Sequence, residues 1–229
     1  MNTNKLKRMI SSHHGFFTFL CKIYNHLNPK NRLGGRGVSL SAGLTMLGGV
    51  RIENKGEDNK IILGDFVRMK GCRIVIFGNH NTVRIGDRAY LNKVELCMED
   101  DGNEIIIGEH ASIWGKSQYA AIEGTRIIIG KECLFSGDVH FRTGDSHSIT
   151  DLEGKRINPS RDIVIDDHVW IGTKVTCLKG VHISRDSVVA AATTLNKDYD
   201  QTNVIIGGVP GKVIKTGVNW DIKRLPVEE

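Results

Sequence analysis

His147 lies in the run Arg142-Thr143-Gly144-Asp145-Ser146-His147-Ser148-Ile149, two positions after a carboxylate and between two serine hydroxyls. An imidazole titrates in the range where it can take a proton from an alcohol, which is otherwise a poor nucleophile at neutral pH. A lone histidine is more often structural than catalytic. Here the Asp-Ser-His context and the failure of the surrounding aliphatic pattern favour a general base, with Asp145 as the side chain that would orient or polarise it. Trp170 is the second candidate. It falls in Asp162-Ile163-Val164-Ile165-Asp166-Asp167-His168-Val169-Trp170-Ile171-Gly172, at an outward position between inward Val169 and Ile171. An exposed indole is costly unless something covers it, and its N–H can donate to a developing oxyanion; packing between protomers accounts for it equally well. Of the other imidazoles, His168 is expected to be a turn residue facing solvent or a neighbouring subunit, and His182 to point outward. His140 and these two lack the clustered spacing of a zinc site, so no metal is expected.

Such residues need a rigid frame, and the sequence supplies one as a repeat. An aliphatic residue, Gly and a polar residue recur at Leu63-Gly64-Asp65, Ile85-Gly86-Asp87, Ile107-Gly108-Glu109 and Ile129-Gly130-Lys131, 22 residues apart each time. Further on the period tightens to six, with Ile165, Ile171, Cys177, Ile183, Val189 and Leu195 in one register and Ile163, Val169, Val175, Val181, Ser187 and Thr193 in the other. Three such hexads make an 18-residue coil, the distance from Ile165 to Ile183. The 22-residue spacing is then a coil plus extra corner residues, supplied by Gly78-Asn79-His80-Asn81 and Asp100-Asp101-Gly102-Asn103. One repeat of this kind cannot bury its apolar face alone, so the coils must stack into a parallel β-prism. In the irregular first coil, Val38, Leu44 and Val50, and likewise Leu40, Met46 and Ile52, are expected to keep the six-residue step.

The expected organisation is a basic amphipathic helical cap over 1–36, a β-helix domain over 37–203 with an extruded loop at 148–162, and a C-terminal tail over 204–229. The chain has 229 residues and a net charge of +5. Residues 1–36 hold seven basic residues and no acidic one, which leaves 24 basic against 26 acidic in the remainder. The basicity therefore belongs to the arm, and no nucleic-acid partner is expected. The arm reads as a helix or two short helices within 5–28, with Phe16, Phe17, Phe19, Leu20, Ile23, Tyr24 and Leu27 as an apolar stripe beside cations. Capping the open first coil is its first expected role, and peripheral contact with an anionic membrane a second. The odd count of five cysteines, with no secretory signal pattern and no apolar run of membrane-spanning length, points to the cytoplasm or the inner membrane face. Cys72, Cys133 and Cys177 fall at inward positions.

The Arg142–Ile149 and Asp162–Gly172 segments, together with Gly208-Val209-Pro210-Gly211-Lys212-Val213-Ile214-Lys215, resemble the hexapeptide-repeat O-acetyltransferases, in particular those of bacterial capsular polysaccharides. The resemblance is close over 120–222 and generic over the earlier coils. It implies a left-handed handedness for the parallel β-helix, against the usual crossover preference, and a homotrimer with sites between adjacent prisms. It also implies acetyl-CoA as donor, a carbohydrate acceptor, His147 at the catalytic position and Trp170 in the cleft. For the donor, backbone beside small residues at Gly172, Ala190, Ala191 and Ala192 suits the pantetheine arm, with Pro210 in the C-terminal motif. Lys197, Lys212 and Lys215 suit the phosphates as point charges, with solvated surface lysines as the plain account. Gly211 stands where the family usually has alanine.

The scaffold leaves other activities open, namely N-acetylation of an amino sugar or acetylation of an antibiotic. A structural prism is the non-enzymatic alternative. It calls for flat outward arrays of threonine, whereas the outward positions here are mixed and charged, and it leaves His147 without a role.

Overall fold

The computed structural model describes residues 12–227. The part of the expected helical segment that falls on 5–11 lies outside them. The chain is a left-handed parallel β-helix whose strands build three faces. The first face runs from Val38–Ala42 to His182–Ile183 through seven strands, and the third from Arg51–Asn54 to Thr194–Leu195 through another seven. The second begins at Met46–Gly48 and reaches Val188–Val189 before the tail adds Val204–Gly207 in parallel and Lys212–Thr216 antiparallel. Residues 204–216 thus continue the second face.

Equivalent residues of successive coils stack in register, as in the inward column Ile61, Val83, Ile105, Ile127 and Ile163. Each of these five side chains is buried, as are Ile165, Ile171, Cys177, Ile183, Val189 and Leu195 of the hexad register. One expectation fails in the first coil. Ala42 pairs with Leu63 and Leu47 with Met69, so the first coil turns its corner in one residue fewer than the second. Leu47 takes the inward place and Met46 points out, 55% exposed.

The Gly-acid pairs are explained by how closely the coils stack at the corner between the first and second faces. A Cβ at Gly108 would lie 2.5 Å from the backbone of Gly130, so no larger residue fits. The acid beside it bonds the coil before, as when the Asp87 carboxylate accepts from the Asp65 N–H at 2.8 Å and that of Asp167 from the Lys131 N–H at 2.7 Å. The next residue in each coil turns through the left-handed region, His168 among them at φ +57°.

The corner between the third and first faces explains the 22-residue period. Asn59, Asn81 and Asn103 are buried there as a ladder, in which the Asn81 and Asn103 N–H groups donate to the preceding asparagine's Oδ1 at 2.8 Å. Thr125 continues it, donating its N–H to Asn103 Oδ1 at 3.1 Å. Asn81→Ala would strip the buried Asn103 amide of its acceptor, and we expect a loss of about 1–3 kcal/mol in unfolding free energy by denaturant titration. Full stability would mean the ladder is incidental to the fold.

Helix α1 (His14–Leu27) lies against the edge strand Met46–Gly48. It meets that edge with amide groups, not with its apolar stripe. Asn25 donates to the Thr45 carbonyl and accepts from the Leu47 N–H, and Asn31 donates to the Leu47 carbonyl and accepts from the Val50 N–H. These bonds stand in for the next strand that the sheet lacks.

Candidate active site

The chain leaves the prism after the strand His140–Arg142, at the corner between the third and first faces, and returns at Ile163–Ile165. Beneath the exit, Tyr119, Phe135 and Phe141 fill the interior, with ring centroids 4.8–6.4 Å apart. Thr143 is buried and locked by its hydroxyl, which accepts from the Ile122 N–H at 3.0 Å and from the Thr125 hydroxyl at 2.6 Å. The excursion that follows is an ordered hairpin. Ile157 N–H donates to the Ile149 carbonyl and Asp151 N–H to the Lys155 carbonyl. Arg156 and Ser160 tie it to Glu123 on the preceding coil, and these two partners, Arg156 first, hold the Glu123 carboxyl down to about 2.

Asn158 is the buried knot of this hairpin. Its Oδ1 accepts from the Ile149 N–H at 2.8 Å, and its Nδ2 donates to the His147 carbonyl at 2.9 Å and to Asp145 Oδ2 at 2.8 Å. Asp145 Oδ2 also accepts from Lys179 Nζ at 2.5 Å, and the Lys179 ammonium, then the Asn158 amide, holds that carboxyl below the usual range. No hydrogen bond or ion pair joins Asp145 to the His147 ring. The structure thus fixes the His147 backbone and leaves its imidazole exposed, with no partner among the described residues. A cleft of about 510 Å³ opens at the base of the hairpin, lined by Arg142, Asp145, Ile149, Asn158, Lys179 and Asn196 among others, with His147 outside its lining.

Trp170 lies elsewhere on the prism. It belongs to the second face, between Leu134 and Val188 of the neighbouring coils, and is 39% exposed. Trp220 of the tail sits 6.1 Å from it, stacks flat on His168 at 4.3 Å, and donates its indole N–H to the His168 carbonyl at 2.8 Å. His168 also bonds Asp186 through Nδ1 at 2.9 Å. It is thus a turn residue as expected, with one ring face covered by Trp220 of its own chain and its side chain still 26% exposed. His182 points outward between Asp166 and Asp198, and His140 is exposed on the third face.

Gly172, Ala190, Ala191 and Ala192 form the corner between the second and third faces, just beyond Trp170. A Cβ on Gly172 would come within 2.7 Å of the Ala191 nitrogen, so the coils approach there as closely as backbone allows. Pro210 lies in the turn into the strand Lys212–Thr216, where Lys212 and Lys215 are exposed and form no ion pair with a described residue. Lys197 departs from this group. Its Nζ sits 5.6 Å from the Tyr199 ring centroid, and it follows Asn196 at the corner that carries the His147 hairpin. One chain therefore divides the candidate residues between two places: Trp170, Gly172, Ala190–Ala192, Pro210, Lys212 and Lys215 at the second face and its edges, and His147, Asp145 and Lys197 at the corner between the third and first faces. Among the described residues no group of three or more His, Cys, Asp or Glu converges as metal ligands would.

Sequence reasoning passed over Asn158, Lys179 and Trp220. The Asn158-Pro159 pair inside the loop was the available signal for the first, and a lone aromatic in a polar tail for the last. Nothing in the sequence marks Lys179. Asn158→Ala should release the 145–149 segment and lower turnover on the order of 10²-fold, since a catalytic group misplaced by about 1 Å loses that much. Unchanged kcat in a folded variant would show that the hairpin knot does not position the histidine.

Two curated relatives carry the similarity in sequence. The chain is 32% identical over 90 residues to a polysialic acid O-acetyltransferase of Escherichia coli O1:K1 / APEC, and 30% identical over 94 residues to the protein of the same name from Neisseria meningitidis. These matches cover 39% and 41% of this chain, but only 29% and 44% of the relatives' own lengths. The likeness in structure is more extensive. The crystal structure of the polySia-specific acetyltransferase NeuO superposes with a TM-score of 0.77 at 28% identity, covering 83% of this chain and 87% of that one. Its relatives are hexapeptide-repeat acetyltransferases. No protein-family profile matches the chain. The chain shares the left-handed β-helix fold of these acetyltransferases, and its inward aliphatic columns form one continuous buried core.

Proposed function

We propose that this chain is an acetyl-CoA-dependent O-acetyltransferase that esterifies a hydroxyl of a capsular or other surface polysaccharide, working as a homotrimer in the cytoplasm. The observation that carries the reading is His147: an exposed imidazole without a partner among the described residues, on a backbone pinned by a buried asparagine, in a hairpin whose neighbouring residues line a cleft. The names of the relatives support acetyl transfer to a saccharide.

His147 takes the proton of the acceptor hydroxyl as its oxygen attacks the thioester carbonyl. The tetrahedral oxyanion collapses, the carbon–sulfur bond breaks, and the proton passes from the imidazolium to the departing CoA thiolate. Trp170 lines the donor side, where its indole N–H can face the carbonyl oxygen. Gly172 and Ala190–Ala192 leave backbone open to the pantetheine arm, and Lys212 and Lys215 offer cations to the phosphates. Asp145 acts at one remove, holding Asn158 and Lys179 rather than the imidazole. A cysteine relay is disfavoured: burial, then Glu99 and Glu95, push the Cys97 thiol up to about 11, and Cys133 and Cys177 lie inside the prism.

His147, on the hairpin at one corner, and Trp170, on the second face, lie apart on one chain, and this supports the trimer, because a prism beside a copy of itself can oppose the two sets of residues. Lys197 then belongs to the histidine side of the shared cleft. The test is release of free CoA thiol from acetyl-CoA over a panel of oligosaccharides, amino sugars and antibiotics. The reading expects release that depends on a hydroxyl-bearing saccharide. Release driven only by amines would favour N-acetylation, and none with any acceptor would favour a structural prism.

A further inference from the structure

Helix α1 turns its long sides the opposite way from a simple apolar lid. Thr18, Cys21, Asn25 and Asn28 recur at helical spacing on the side that meets the prism, and the open edge is already capped by amides. The other side carries Phe16, Phe19, Leu20, Ile23, Tyr24 and Leu27, which are 40–72% exposed. Their spacing of three and four residues makes one continuous apolar stripe, flanked by Lys22 and His26. An apolar stripe of that size facing solvent marks a docking surface. The charge around it selects the occupant. Residues 1–36 contain seven basic residues and no acidic one, so a second copy of the arm would bring like charges together with nothing to pair them. An anionic lipid surface supplies phosphates to the cations and acyl chains to the aromatic stripe. No helix among the described residues is long and apolar enough to cross a membrane, so this mode is in-plane seating.

From this we infer that the outer face of α1 seats the protein on an anionic lipid bilayer, with Phe16, Phe19, Ile23 and Leu27 in the headgroup–acyl boundary and Lys22 at the phosphates. The inference deepens the proposed function by placing the site beside membrane-borne glycan, and rests on it for that purpose alone. Binding is measured without acetyl transfer, so the two readings fail separately.

The experiment sediments the full chain with vesicles of phosphatidylcholine containing phosphatidylglycerol, and with phosphatidylcholine alone, at low and high salt. A Phe19→Glu/Leu27→Glu variant and a Lys22→Glu variant are run beside it, each checked for an unchanged melting temperature. We expect binding to the anionic vesicles only, fading as salt rises. The double variant should bind at least about tenfold more weakly, since burying either side chain is worth that much, and Lys22→Glu should weaken it too. No sedimentation with anionic vesicles at low salt would overturn the inference. So would equal binding by the double variant, or a fall in its oligomeric state, which would make the stripe a contact between copies.

Discussion

Replacing His147 with alanine is expected to lower the turnover of acetyl transfer by about 10² to 10⁴, the usual cost of losing a general base. The structure makes the experiment clean. The ring is exposed and has no partner among the described residues, so its removal leaves neither a cavity nor an orphaned buried donor. The backbone stays held through its carbonyl by Asn158. Melting temperature and oligomeric state should therefore match the wild type while kcat falls. A folded variant with near wild-type turnover would remove His147 from the chemistry.

The second large effect follows from the proposed sharing of one site between two copies of the chain. Trp170→Ala alone should cost on the order of 10² in kcat if its indole meets the developing charge. Co-expression of His147→Ala with Trp170→Ala should then recover activity that neither possesses. Where sites form between copies, a site with an intact histidine on one side and an intact tryptophan on the other arises in about one quarter of the interfaces of randomly mixed rings. Recovery to roughly that fraction of wild-type kcat is the expected result. Mixed oligomers, verified by differently tagged copies, that stay inactive would place both residues in separate roles or in a single chain.

How much of this was legible in sequence follows from where periodicity holds. The prism was readable because its inward columns repeat without exception over Ile163–Leu195, and the 22-residue period became intelligible once Asn59, Asn81 and Asn103 were seen as a buried ladder. Periodicity fails at Met46, where one corner is a residue short, and a step of six read through that corner assigns the wrong side chain to the core. His147 and Trp170 stand out as candidates because each interrupts a pattern. Asn158 and Lys179 do not, because their importance lies in contacts 11–34 residues distant along the chain, across a hairpin whose pairing no local pattern announces. The outward apolar face of α1 was hidden for a related reason: amphipathicity shows that a helix has two sides, and only the amide contacts of Asn25 show which side meets the prism.

The most direct test is the mass of each saccharide in a panel of surface-polysaccharide oligomers after incubation with the purified chain and acetyl-CoA. The account predicts acetyl groups added to a saccharide of the panel, one free CoA thiol for each, and their removal by mild alkali, as esters require. An unmodified panel with acetyl-CoA left intact, or an acetyl group that survives alkali as an amide would, contradicts it.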